Sequence, residues 1–181
     1  MGKLLVLLLV LVVLGFVVYT VSQRKWRDQA LQGRKAAAMS FYNRLGSDVA
    51  TLDPGADPVS RQALADAAER YTSAGSMFAT ADTEGEIATA RRTALEGLIA
   101  TRLVRERLGL PLGPDLPPLD YAYGQPQLEA PRRVAIEGQQ VEAYPDYRPG
   151  APYRWPGGHG VPGGWYPFPV VPTEDDGRTG R

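Results

Sequence analysis

From Leu4 to Gln23 the chain carries no charged side chain, and Leu4 to Val18 is Leu and Val broken only by one Gly and one Phe. About 20 apolar residues, rising 1.5 Å each along a helix, cover a hydrocarbon core of roughly 30 Å. In lipid each backbone polar group must find its partner within the segment, so the run predicts a transmembrane helix. Residues 1–23 are therefore expected to form an N-terminal anchor. Tyr19 and Trp26 fall where aromatic rings settle at the membrane–water interface. A cleaved signal peptide is the competing reading. Its apolar core spans about 7–15 residues and ends in a small-x-small site. Here the run is longer, Thr20-Val21-Ser22 is a poor site, and the sequence continues into a helical pattern without a breaker.

The flanks orient the anchor. Lys3 and the amino terminus precede it; Arg24, Lys25, Arg27, Arg34 and Lys35 follow, opposed by Asp28. The positive-inside rule then keeps the C-terminal part cytoplasmic, on a single-pass protein of the cell membrane with a very short external N-terminus. The same collar attracts anionic headgroups, at about 1 kcal/mol per basic residue close to the surface. Arg24, Lys25, Trp26 and Arg27 are thus candidate membrane-surface contacts, and the lipid bilayer is the first expected partner.

Residues 24–110 read as a helical, coiled-coil-like body. Leu31, Ala38, Leu45 and Leu52 recur every seven residues, with Tyr42 and Val49 between them, which makes one apolar stripe. This stretch is expected to continue the membrane helix as a stalk until Asp53-Pro54-Gly55 stops it. Asp57 can cap a second helix that has Pro58 in its first position. Leu64, Ala67, Tyr71, Ala74 and Phe78 follow at heptad spacing. After a break at Ala79–Asp82, Thr83 and Glu86 have the spacing of a capping box. Ile87, Ala90, Ala94, Leu95, Leu98, Ile99 and Leu103 form the next apolar face, and Leu108-Gly109 signals its end. The expected fold is mainly α, an antiparallel helical hairpin or three-helix bundle with Leu64, Tyr71, Phe78, Leu95 and Leu98 on its packing seam. So Ala-rich a seam buries little area, and at roughly 25 cal/mol per Å² it makes a marginal isolated domain. The stalk, a second copy or another protein is expected to complete the core. Arg91, Arg92, Arg102, Arg105 and Arg107 could face an acidic partner, or form a solvated face with Glu96 and Glu106.

All but two of the 16 prolines lie at or after Pro111. Residues 111–181 accordingly read as a Pro/Gly/aromatic-rich tail, largely irregular or disordered, in which Val134–Val141 forms a brief strand or nothing. Tyr144, Tyr147, Tyr153, Trp155, Trp165, Tyr166 and Phe168 imply docking instead. Trp165, Tyr166 and Phe168 suit a membrane interface, although the run is too short and proline-rich to cross a bilayer.

Catalytic signals are sparse. There is no cysteine, so disulfides, thiolates and Cys-based zinc sites are excluded. The single histidine, His159, sits between glycines with no neighbouring ligand, and no phosphate-cradling glycine pattern has a strand-to-helix context. Glu174-Asp175-Asp176 lacks the frame of a calcium loop and reads as a solvated acidic stretch. Twenty basic residues balance 20 acidic ones, which gives no basis for nucleic-acid binding. Nucleophile–base constellations are absent, and an enzyme would need acids such as Glu69 and Glu96 to converge in a pocket. No catalytic activity, cofactor, metal or small-molecule substrate is expected.

Tyr71-Thr72-Ser73-Ala74-Gly75-Ser76 and Ala90-Arg91-Arg92-Thr93-Ala94-Leu95-Glu96-Gly97-Leu98 are followed by Leu108-Gly109-Leu110-Pro111-Leu112-Gly113-Pro114-Asp115-Leu116-Pro117 and by Val161-Pro162-Gly163-Gly164-Trp165-Tyr166. In these blocks, spanning roughly residues 60–166, the chain resembles an uncharacterised actinobacterial family of membrane-anchored proteins. The resemblance implies an anchor, a helical body and often a second hydrophobic segment after the Trp-Tyr pair. Pro167–Arg181 contains no such segment, though the resemblance still implies a membrane-proximal Trp165. It implies no enzymatic activity.

The expected function is a scaffold or accessory component of a membrane protein assembly, with other membrane proteins or further copies of the chain as partners. The alternative is a secreted or periplasmic binding module released by signal cleavage. The anchor predicts that alkaline carbonate leaves the protein in the membrane pellet with Leu4–Val18 intact; a mature N-terminus near Ser22 or Gln23 would overturn it.

Overall fold

The structure, a computed structural model, describes residues 31–119 and 124–171. The expected anchor, the collar residues Arg24, Lys25, Trp26 and Arg27, and the acidic C-terminal stretch lie outside the described residues. No described helix is long and apolar enough to cross a membrane.

Local chemistry sets the helix boundaries. The first helix, α1, is helical over described residues 31–51 and stops before Asp53-Pro54-Gly55. There the Gly55 N–H donates to the Asp53 carboxylate and Gly55 takes a φ of 58°, a left-handed conformation that costs glycine little. Helix α2 runs Pro58–Thr80, with the Asp57 side chain accepting from the Ser60 N–H. Helix α3 runs Glu84–Arg107 and starts in the reciprocal Thr83/Glu86 capping box. It ends in a Schellman turn: the Gly109 N–H donates to Glu106 O and the Leu110 N–H to Arg105 O.

The three helices form an up-down-up bundle. Leu31 packs in one cluster with Phe78 and Ile87, while Asp48 at the other end of α1 accepts from Thr101 and Arg105. Helix α1 is therefore parallel to α3 and antiparallel to α2. Glycines set the approach. A Cβ on Gly97 would lie 2.5 Å from Leu45 Cδ2 and 3.0 Å from Arg70 Cβ. Tyr42 and Tyr71 stack across α1 and α2 with centroids 4.6 Å apart.

Beyond α3 the expectation of an irregular tail is corrected over residues 124–171. Strands β1 (Arg132–Ile136) and β2 (Gln139–Ala143) form an antiparallel hairpin. Its two-residue turn, Glu137-Gly138, has φ of 49° and 78°, the twist that matches right-handed strands. Strands β3 (Tyr153–Trp155) and β4 (Gly164–Tyr166) form a second pair, tied to the first by the Tyr144–Trp165 bridge. The strands build a second core from Leu128, Val134, Ile136, Val141, Ala143 and Tyr166. The tail thus supplies its own core as well as a cover for the helices.

That cover explains where the seam departs from expectation. Phe78, Leu95 and Leu98 are buried as expected, but Leu64 and Tyr71 are only half-buried. Helix α2 buries Asp66 and Arg70 alongside its alanines, because α1 lies on one of its faces and the tail on another. In α3 the six consecutive residues Thr93–Leu98 are all buried. At 3.6 residues per turn, six in a row point in every direction, so this segment is enclosed on all sides.

Gly97→Ala is expected to overpack the α1–α2–α3 contact and destabilise the protein by about 1–3 kcal/mol. Gly85→Ala, whose added Cβ meets nothing within 4 Å, should be neutral or raise stability by up to about 1 kcal/mol. Denaturant titration of both variants checks the pair.

Candidate functional site at the hairpin–tail junction

The polar side chains of α2 and α3 that face the tail form two linked clusters. In the first, Asp66 is buried and accepts three hydrogen bonds: from Gln62 Nε2 at 2.9 Å, the Tyr147 hydroxyl at 2.8 Å and the Gly150 N–H at 2.8 Å. Burial and the adjacent Asp66 carboxylate push the Tyr147 hydroxyl well above its ordinary range, so it stays a proton donor. Tyr147 in turn meets Trp165 edge to face, with centroids 5.4 Å apart.

The second cluster centres on Arg70. Its guanidinium reaches Glu69 at 3.2 Å and Glu96 at 3.6 Å, and lies over the Tyr153 ring with Cζ 3.8 Å from the centroid. Cation–π geometry of this kind is favourable in a desolvated setting. The Tyr153 hydroxyl donates to Glu69. Arg92, one turn before Glu96, approaches it at 4.0 Å, and the Arg154 backbone N–H donates to the same carboxylate. The Arg154 guanidinium binds the carbonyls of Trp155 and Gly164 and, at 3.0 Å, Gln127 Oε1. Gln127 donates onward to Pro156 O at 2.8 Å. Helix α2, helix α3 and both strands of the β3–β4 pair therefore meet through a continuous charged network.

Glu96 carries the largest tension. Burial raises its carboxyl pKa to about 7, against the opposing pull of Arg70 and Arg92. Beside it lies a cavity of about 300 Å³ whose walls include Arg70, Ser73, Arg92, Thr93, Tyr153 and Trp155. Glu69 and Glu96 both reach Arg70, but through different nitrogens, and only Glu96 lines the cavity. They act as charge partners of one guanidinium and do not flank a common reacting position.

A second hollow, an open groove of about 490 Å³, lies between α3 and the proline-rich segment after it. Ile99, Leu103, Leu112, Leu116, Pro117 and Trp165 contribute to its walls. Leu112 in its wall, and Leu108 and Leu110 just before it in the chain, are each exposed to roughly 40%. Arg44 holds this segment by donating to Pro114 O, and Arg105 by donating to Pro111 O.

Of the tail aromatics expected at a membrane surface, Trp165 and Tyr166 are buried and Phe168 is partly buried. Trp165 and Tyr166 are 4% and 0% exposed, and Phe168 packs against the second core. Successive strand residues point to opposite sides, so β4 sends Trp165 into the helical core and Tyr166 into the tail core. Burial pushes the Tyr166 hydroxyl up to about 12, and it donates to Pro162 O. The α3 arginines also differ from both expectations. Arg105 pairs with Asp48, Arg107 with Asp57 and Arg102 with Asp115, while Arg91 lies over Phe41. Glu96, expected on a solvated face, is buried. Asp66, Arg70, Arg154 and Gln127 gave no signal in the helical periodicity. The usable hint was a pair of charged residues one turn apart, next to the apolar seam of α2.

The chain matches no protein-family model, no curated protein and no solved structure.

The Glu96 carboxyl titrates higher in the folded protein than in the unfolded chain, where about 4.3 is usual. The folded state therefore binds the extra proton, and the associated stability is complete below that value and lost as pH rises through about 7. Glu96→Gln should gain on the wild type between about pH 5 and pH 8. Unfolding free energies across that range check it; a pH-independent difference would refute it.

Proposed function

We propose that this chain is a single-pass, membrane-anchored, non-enzymatic protein that serves as a scaffold or accessory component of a membrane protein assembly, its folded body on the cytoplasmic side. The uncharged Leu4–Gln23 run and its basic collar support the anchor, and the resemblance to a membrane-anchored actinobacterial family points the same way. The observation that carries the contact role is the row of exposed Leu108, Leu110 and Leu112 beside the groove at the end of α3. Apolar side chains clustered around a concavity are characteristic of contact surfaces.

The location of that surface favours a protein partner over lipid. The first described residue of α1, Leu31, packs at the α2–α3 turn, so a preceding membrane segment would approach that end. The leucines lie at the opposite end of the 24-residue helix α3, about 35 Å away at 1.5 Å per residue. Most charged side chains at the hairpin–tail junction are engaged in holding the fold together, which supports a structural reading over a catalytic one.

The test is particle size in mild detergent. The full-length protein should migrate as an assembly larger than a monomer. Leu110→Asp with Leu112→Asp should reduce it to a monomer while leaving its melting temperature within a few degrees. A monomeric wild type, or a double variant that assembles normally, would reject the proposal. A reporter fused after Arg181 should be active only on the cytoplasmic side.

A further inference from the structure

The cavity beside Glu96 is built differently from the apolar groove. Two arginines whose guanidiniums reach Glu96, Arg70 and Arg92, contribute to its walls, against the single carboxylate of Glu96. Glu69 reaches Arg70 from outside those walls. Within those walls Arg70 and Arg92 share the one carboxylate of Glu96. Arg70 is 5% exposed, and its buried Nε–H has no hydrogen-bond acceptor among the described residues. A buried donor left without an acceptor is costly, more so on a charged group. Arg92 differs: its side chain is 35% exposed, which puts a cation within reach of solvent at the same cavity. The Ser73 hydroxyl adds a short donor, and Met77, Trp155 and Val170 supply apolar wall. A volume of about 300 Å³ is at the lower end of those that hold small organic ligands.

We propose that this cavity binds a small organic anion, a carboxylate or phosphate head held by Arg70 and Arg92 with a compact apolar or aromatic body against Met77, Trp155 and Val170. Guanidinium groups favour both heads, because their parallel N–H bonds match two oxygens of either one. Glu96 competes with the ligand for the same two arginines, so protonating Glu96 releases them. The facing charged and titratable groups are Glu69 and Arg70 from α2, Arg92 from α3, and Tyr153 and Arg154 from β3. Glu96 itself is poised to change charge near neutrality, since burial holds its carboxyl at about 7. Binding is therefore tighter on the acidic side of neutrality. This site is independent of the proposed assembly role and would persist in a monomer.

Calorimetric titration of the full-length protein in non-ionic detergent, against a detergent-only blank, tests it with benzoate and phenyl phosphate as probes. Saturable binding of at least one probe is expected at about pH 6, weakening roughly tenfold by about pH 8. Phenol, which has the ring without the anionic head, should not bind. Arg92→Gln, at a side chain 35% exposed, should weaken binding by roughly tenfold or more. Arg91→Gln, on the face toward Phe41, should leave it unchanged. Glu96→Gln should bind at least as tightly as the wild type and lose the pH dependence. The inference is overturned if neither probe saturates up to roughly 10 mM, if phenol binds equally well, or if Arg92→Gln binds as the wild type does.

Discussion

The guanidinium of Arg70 is the contact on which the rest of this structure depends. A charged group on the inner face of a helix is tolerable only when it is paired and covered. Here the pairs come from Glu69 on the same helix and Glu96 on the next, and the cover is the Tyr153 ring from the tail. Asp66, one turn earlier, repeats the device with the Tyr147 hydroxyl and the Gly150 N–H. The helices therefore have two kinds of interface. Small apolar residues and glycines bring α1 against α2 and α3, while an ionic layer joins α2 and α3 to the tail. Removing one partner from such a layer strands a buried charge, so its members stand or fall together.

The helices were legible because their determinants are local. Asp53-Pro54-Gly55, the Asp57 cap, the Thr83/Glu86 box and Gly109 each act over a few residues, and each is where the sequence put it. The apolar stripe of α1, with Ala38 and Leu45 buried, was equally readable. Burial of Asp66, Arg70 and Glu96 was not readable, because charged residues at helical spacing look like a solvent face unless the covering segment is known. That cover comes from residues 147–165, far along the chain, through contacts between positions more than 80 apart in the case of Asp66 and Tyr147.

The tail was misread for a related reason. Its proline and glycine content does forbid long regular elements, and β3 and β4 are only three residues each. Composition did not reveal that the seven aromatics have partners within the chain. Tyr144, Tyr147 and Trp165 join the helical core, Trp155, Tyr166 and Phe168 join the strand core, and Tyr153 lies under Arg70. The many left-handed glycines let short strands reverse direction, so the segment folds by side-chain packing more than by backbone ladders. Aromatic density was the better guide to order here than proline count.

The ionic character of the junction has a consequence for how the chain is made. Helices α2 and α3 leave the ribosome well before the tail that covers them, and at about 5–20 residues per second the wait lasts on the order of several seconds. An apolar docking face would be adhesive throughout that interval. A face presenting Asp66, Arg70, Arg92 and Glu96 is instead well hydrated, so the half-made bundle carries its own solubilising surface until the tail arrives. Those charges become costly only once water is expelled, when their partners from β3 and the Tyr147 turn are already in place. The chain can therefore use the same residues first as a safeguard against aggregation and later as the lock that closes the fold.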